Sequence, residues 1–393
     1  MSVNAMSFEQ AATILTSLAQ QATGQAVQAV TDLSSYISVG QQTLLNGYDP
    51  LSIGISQLVS RTIFSYRPYN GPLSSLDRDS NEWGAVTRKI NAINMPVENE
   101  GSYALVDGAH SPDMYTVRKP KLWQTNFYGY DVWADHVSVT EKQLKNAVMN
   151  PADMGRLLDL ILGTKANEME MSRVAFRRAT LSNMIAAIHA INNSVQIRHL
   201  LTEYNTATGQ SLTNITVMLP ANFPGFIRWA YAQIAKVSDL LEEPNSKYHL
   251  NPTAGDILRH TPKADQRLYV YSGAIHDIDA TVLATTFNDD RVKLPKVTES
   301  VNFFQSLDKP DEINIKPAYI DASGAVVANP TAQNVKHIFA LLCDRDAVGV
   351  NFYDQSVRVS PYEAAGQYYN YWYHDAHRYY NDVTENAVLF LLD

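Results

Sequence analysis

The chain has 393 residues, 45% of them hydrophobic, enough to bury a large core shared between two or three sub-domains. A formal charge of −9 argues against a surface built to grip a nucleic-acid backbone, which needs clustered Lys and Arg to displace counterions. The single cysteine, Cys343, excludes an internal disulfide framework and reads as a small buried hydrophobe in a reducing compartment. Residues 1–60 hold no Lys or Arg, so the basic head of a secretory signal is missing. No apolar run reaches the roughly 18 residues of a spanning helix, and a soluble, unexported protein is expected.

Taken in chain order, residues 1–50 are rich in Ala, Gln, Ser and Thr, with Phe8, Ala11, Ala12, Leu15, Leu18 and Ala19 at helical spacing. One face is greasy and the other almost uncharged, which suits an arm docked on a neighbour or on the domain body, or an ordinary peripheral helix. Residues 61–82 read as a connector. From 83 to 140 the chain turns to short polar strands at 86–93, 103–106, 114–117 and 123–139, punctuated by Met95-Pro96, Asp107-Gly108, Ser111-Pro112 and Lys119-Pro120. The charges Arg88, Lys89, Glu98, Glu100, Arg118, Lys119 and Lys121 leave too few apolar positions for an independent core. The pattern predicts a long two-stranded projection that must lie on something, either a neighbouring molecule or its own domain.

Asn150-Pro151 then starts a helix, with Asn as cap and Pro in the first turn. Near-helical spacing continues to about Asn192, a spine of about 60 Å at 1.5 Å per residue, or two antiparallel helices broken at Gly163. A strand is predicted at 215–219. A clear helix follows, with Phe223, Phe226, Ile227, Ala230, Tyr231, Ile234, Val237 and Leu241 on one face and Pro244 as its stop. A strand at 267–272, a helix at 274–287, a strand at 312–320 and a flexible segment at 322–330 complete an α+β block. Two apolar runs, 338–342 and 387–392, read as buried strands, the second of them central in its sheet because so apolar a segment cannot be left in water. Between these runs lie Tyr362, Tyr368, Tyr369, Tyr371, Trp372, Tyr373, Tyr379 and Tyr380, amphipathic rings suited to packed contacts with one wet edge.

Signatures of catalysis are missing. There is no phosphate-binding Gly-rich loop, no dinucleotide fingerprint, no nucleophile elbow and no His-Glu-x-x-His. His374 and His377, three apart with Asp375 and Asp382 nearby, could share a ligand on a helix, but in so tyrosine-rich a segment they read as polar partners at a packed surface. The acid pairs Glu242-Glu243 and Asp289-Asp290 adjoin helix ends and read as solvated loop charge, and Asp344-Arg345-Asp346 as a turn fixed by an ion pair. The aromatic run 368–380 could also be a sugar-binding platform. No enzymatic activity, cofactor or metal is expected.

The closing order of an apolar strand, Asp344-Arg345-Asp346-Ala347-Val348-Gly349, a second strand, Ala364-Ala365-Gly366-Gln367-Tyr368-Tyr369-Asn370, an aromatic and basic segment, and Glu385-Asn386-Ala387-Val388-Leu389-Phe390-Leu391-Leu392-Asp393 resembles the carboxyl end of tailed-phage major capsid (major head) proteins of the Hong Kong ninety-seven phage fold. The resemblance implies an α+β phage capsid fold with these parts: an N-terminal arm at 1–60, an extended β loop at 83–140, a peripheral domain at 141–205 and 331–393 with its spine helix at about 151–192, and an axial domain at 206–330. It implies a virion protein, assembled in the host bacterial cytoplasm, that forms hexamers and pentamers of an icosahedral head. Its partners would be copies of itself together with scaffolding, portal and head-decoration or minor capsid proteins. The head would enclose double-stranded DNA without sequence-specific binding, for which an acidic inner wall is suitable because phosphates would slide past it. Candidate inter-subunit contacts are Phe8, Leu15, Arg88, Lys89, Glu98, Glu100, Arg118, Lys119, Tyr368, Tyr369, Tyr371, Trp372 and Tyr379. An encapsulin-like compartment shell, or an aromatic-rich carbohydrate-binding or hydrolytic protein, would be the alternatives.

Overall fold

The computed structural model describes residues 8–23, 30–45, 71–78, 86–93, 121–128, 131–149, 157, 165–253, 255–277, 298–327 and 330–393. They fall into two compact units, one from segments 1–83, 130–176 and 351–378 and the other from 84–129, 177–350 and 379–393.

In the first unit, helices α1 (Phe8–Thr23) and α2 (Leu33–Leu45) accompany a three-stranded sheet in the order β10-β11-β3, with β3 at Asp131–Thr140, β10 at Val348–Val359 and β11 at Tyr368–Asn381. Side chains alternate across a strand. One face of β11 therefore turns Tyr369, Tyr371 and Tyr373 into a core with Leu15, Leu18 and Ala19 of α1, Tyr36 and Val39 of α2, and Val139 of β3. The greasy stripe of α1 is covered by the chain itself, and Leu15 is fully buried. Leu15, Tyr369 and Tyr371, expected at contacts between copies, are instead core residues of a single molecule. Desolvation drives this, since the inward tyrosines and the stripe of α1 each remove apolar area from water.

Helix α3 (Glu141–Met149) follows β3, and α4 (Lys165–Ile191) is the described part of the predicted spine. Its 27 residues span about 40 Å. The expected start at 151 and break at Gly163 lie outside the described residues, apart from a helical Leu157. The helix stops where Asn192 takes the left-handed conformation at φ 53°, a stop Asn tolerates. Met184 to Ile188 are buried without interruption, so this stretch runs through interior rather than along a surface.

The second unit is built on a five-stranded sheet in the order β4-β12-β9-β5-β6, comprising Ile197–His199, Ala387–Leu391, Ile338–Asp344, Gln266–Tyr271 and Glu299–Val301. The run at 387–392 is central as expected, parallel to β4 on one side and antiparallel to β9 on the other. Both faces of β9 and β12 are covered, which is why these strands read as unbroken apolar runs rather than as alternation. Helices α5 (Leu200–Thr208) and α7 (Phe223–Glu242) share one cluster with the sheet, placing Phe226, Ile227, Ile234 and Leu241 among Leu268, Leu342, Val388 and Phe390. A separate pair joins β7 (Ile313–Ile315) to β8 (Gln333–Val335).

Four sequence expectations change here. Strands assigned to a peripheral domain (β4, β9, β12) and to an axial domain (β5, β6) form one sheet, so the boundaries at 205/206 and 330/331 do not separate independent cores. The predicted strand at 215–219 is instead a short helix, α6 (Asn214–Val217), because Thr213 and Thr216 form a reciprocal capping box that satisfies its first amides. The predicted strand at 123–139 is two strands in two sheets: β2 (Lys121–Tyr128) pairs with β1 (Val86–Ile93), and β3 pairs with β11. The strand expected over 312–320 shrinks to β7. The helix expected at 274–287 is helical over its described part, 272–277, and the rest of it lies outside the described residues.

Leu15→Ala is expected to lower the unfolding free energy of the dispersed subunit by about 2–5 kcal/mol, the cost of a large-to-small change in a packed core, measured by urea denaturation. An arm that packed only on neighbouring copies would leave that value unchanged.

Candidate functional site

The surfaces singled out by sequence are the ribbon formed by β1 and β2 and the aromatic strand β11. In the ribbon, Lys89 pairs with Thr125, and Lys89, Trp123, Thr125 and Phe127 share one face. That face is turned to its own unit. The Trp123 ring lies against Gly324, whose φ of 86° and lack of a side chain are both needed there, since a Cβ would sit 2.8 Å from the ring. Phe127 meets Tyr380 at a ring separation of 5.6 Å. Lys89 donates to the buried Asp382 carboxylate at 2.5 Å and pairs with Glu385, which also lies 3.3 Å from Arg259. Asp382 is further fixed by the amide and hydroxyl of Thr384.

Burial works against the Lys89 charge, but Asp382 and Glu385 outweigh it and hold the ammonium above its ordinary pKa. Burial also pushes the Glu385 carboxyl up, against the opposing pull of Lys89 and Arg259. The network thus ties the ribbon root to the start of the central strand β12. Lys89, expected between subunits, is an intramolecular anchor, and its partners Asp382, Glu385 and Arg259 could not be read from spacing because they lie far along the chain. The outward face of the ribbon leaves Ile90 and Leu122 mostly exposed. Nothing is described of the Arg88 side chain beyond its strand position, nor of that of Phe8 beyond its place in α1, and Glu98, Glu100, Arg118 and Lys119 lie outside the described residues.

On β11, the face opposite the core carries Tyr368, Asn370 and Trp372. Trp372 stacks on His136 at 4.5 Å between ring centres, and the Ser138 hydroxyl donates to the Asn370 side-chain oxygen at 2.6 Å. Tyr368 and Trp372 are partly exposed, and Tyr379 is exposed. These three keep the wet edge expected of a contact surface, whereas Tyr369, Tyr371 and Tyr373 offer no platform to a sugar.

His374 and His377 lie on a strand rather than a helix, so a spacing of three sends them to opposite faces. His377 is buried against Trp133 and Phe176, with ring separations of 3.8 and 4.4 Å. Asp375 beside it accepts from Arg173 Nε at 2.7 Å, and the Arg173 guanidinium sits 4.9 Å from the centre of the Phe352 ring. This is a polar knot within a core. Among the described residues no group of three or more His, Cys, Asp or Glu is placed to hold a metal. The turn at 344–346 is held by hydrogen bonds to Asp344, from the Thr261 hydroxyl at 2.7 Å and the Asp346 amide at 2.8 Å. Glu242 lies 3.7 Å from Lys263 on the surface, and Asp289-Asp290 lies outside the described residues.

A second polar knot adjoins β12. His249 is buried, with Nε2 2.8 Å from the Ile257 carbonyl and Nδ1 3.2 Å from the Asn386 side-chain oxygen. Burial, aided by nearby Arg259, lowers its pKa from the ordinary 6.5, despite the hydrogen bonds that favour the charged ring.

Among the described residues no catalytic constellation is brought together, and the fold resembles that of phage capsid subunits. At 12% identity and a TM-score of 0.53, a chain in the capsid structure of Staphylococcus phage Andhra aligns over 84% of this chain and 86% of its own. At 11% identity and a TM-score of 0.54, a chain in the structure of the head fibre and inner core protein of native bacteriophage P68 aligns over 84% and 89%. No curated protein matches the sequence. The family model for Phi29-like phage major capsid protein matches residues 15–391, and the chain belongs to that family. It is therefore a structural protein of the bacteriophage head, a virion component that self-assembles into a shell. Among the described residues no helix is long and apolar enough to cross a membrane.

Lys89→Ala would leave two buried carboxylates without their shared cation and is expected to destabilise the dispersed subunit by about 3 kcal/mol in urea denaturation. His249 predicts a pH effect. Its folded pKa is depressed, so its contribution is fully present above about pH 6.5 and is lost as pH falls below that value. The stability difference between wild type and His249→Gln should shrink between pH 7 and 5, as read from denaturation midpoints at each pH.

Proposed function

We propose that the chain is the repeating subunit of an icosahedral head of the Hong Kong ninety-seven fold type, forming hexamers and pentamers that enclose double-stranded DNA. The match of the capsid family model over residues 15–391 carries this reading, because it takes in the extensions as well as the body. In this reading residues 1–60 form the N-terminal arm, 83–140 the extended β loop, and α4 the spine of the peripheral region. Copies meet through the outward ribbon face with Ile90 and Leu122, through Arg88, and through Tyr368, Trp372 and Tyr379. Phe8, Glu98, Glu100, Arg118 and Lys119 complete the proposed set of contacts between copies.

The net charge of −9 supports a wall that does not hold phosphates, so the DNA is enclosed rather than bound. Assembly takes place in the bacterial cytoplasm with scaffolding, portal and decoration or minor capsid proteins, where the lone buried Cys343 has no disulfide to form. Assembly energy comes from many repeated modest contacts rather than one tight one, since the large apolar stripe of α1 is already spent inside the subunit.

Electron microscopy of the purified, concentrated protein tests the reading. Hollow closed shells with six- and five-membered rings are expected. Dispersed monomers under every assembly condition tried, or shells lacking such rings, would overturn it.

A further inference from the structure

Midway along α4, the half-buried Arg178 sets its guanidinium over the Phe303 ring, 3.6 Å from the ring centre. The stack is built on fixed parts. One helical turn further along, the Ser182 hydroxyl donates to the Phe304 carbonyl at 3.1 Å, and the Asn183 side chain bonds both the amide and the carbonyl of Ala318. Phe304 is itself buried, so the segment that carries Phe303 is fastened to the helix at two points.

What Arg178 lacks is an anion. Lys89, Lys165, Arg173, Arg198 and Arg259 each reach a carboxylate at 2.5–3.3 Å. Among the described residues Arg178 reaches none, and its Nε is buried with no hydrogen-bond partner. Burial holds its pKa below the ordinary arginine value, with no neighbouring charge acting the other way. A ring face attracts the cation but takes none of its N–H groups, which lie in the guanidinium plane. A half-buried charge that no carboxylate offsets weakens a fold, and an apolar side chain of similar length would serve the single molecule better. The arginine therefore answers to something outside the molecule.

The chemistry of that partner follows from the geometry. A guanidinium held over a ring presents its edge as a planar fork, which matches a carboxylate through two parallel hydrogen bonds. Ala179 beside Arg178 and Asn302 beside Phe303 are exposed and uncharged, leaving the approach open. Nucleic-acid phosphates are gripped by clusters of cations, whereas the adjoining Arg177 is buried with contacts of its own. A second copy offers what is missing: with 40 Asp and Glu against 31 Lys and Arg, each molecule carries surplus carboxylates.

We infer that Arg178, stacked on Phe303, is the cationic half of an ion pair whose carboxylate belongs to a second copy of this chain in the shell. The inference rests on the shell-subunit reading above and adds a contact that spacing along the sequence did not single out.

The test compares full-length wild type with Arg178→Met, which keeps an unbranched stem against Phe303. Thermal unfolding of the dispersed subunit and the critical concentration for shell assembly, both without DNA, should move apart. The variant subunit should unfold at the wild-type temperature or above it, because an unpaired charge has left a half-buried site. Its critical concentration should rise about tenfold at low salt, and the gap should narrow as added ions screen the wild-type pair. Electron microscopy of wild-type shells should show an Asp or Glu of an adjacent copy against the Arg178 guanidinium. Assembly of the variant at the wild-type concentration, or a guanidinium that faces solvent or DNA in the shell, overturns the inference. A variant subunit that unfolds at a lower temperature places the role of Arg178 within the molecule, which also overturns it. Wild-type protein that forms no shells would instead sink the underlying reading of function.

Discussion

Everything in the second unit depends on the insertion of β12 between β4 and β9. Ala387 to Leu391 are buried on both faces, and each large side chain among them contributes about 1.5–3 kcal/mol on transfer from water. Without this strand, β4 would lose its parallel neighbour and β9 one of its two, leaving backbone groups with no partner in an interior that excludes water. The ribbon depends on the same place. Lys89 reaches Asp382 and Glu385, in the turn that leads into β12, so the elongated element is oriented by the strand that completes the core.

Apolar content was legible wherever it was continuous or periodic. The run at 387–392, the face of α7 from Phe223 to Leu241, and the stripe of α1 all bury as their patterns demand. Partnership was not legible, because periodicity reports which side of an element is greasy and not what covers it. For that reason the stripe of α1 stayed open between a neighbour and its own domain body, and Leu15, Tyr369 and Tyr371 read as contacts between copies, when their cover is in the same chain. Short-range polar chemistry was the other gap: the Thr213–Thr216 box converts a β-branched stretch into a helix, a local hydrogen-bond effect that hydrophobic spacing does not carry. The salt-bridge network at Lys89 joins residues almost three hundred positions apart, beyond the reach of any motif.

A subunit that hides its own apolar stripes has a particular advantage in a shell. Its stability as a single molecule is set by its cores, and in the shell proposed above association falls to small patches and half-exposed rings such as Trp372 beside His136. Weak, repeated contacts between stable bodies let a wrongly placed copy leave again before a lattice closes around it. Strong burial between copies would remove that correction.

The sequence position of β12 also carries a message about timing. During synthesis, β4, β5, β6 and β9 all leave the ribosome before the strand that must slot between two of them, and the carboxylates that seat Lys89 emerge just ahead of it. The five-stranded sheet therefore cannot be completed until translation has passed residue 391, so its core closes only after all its other strands have been made.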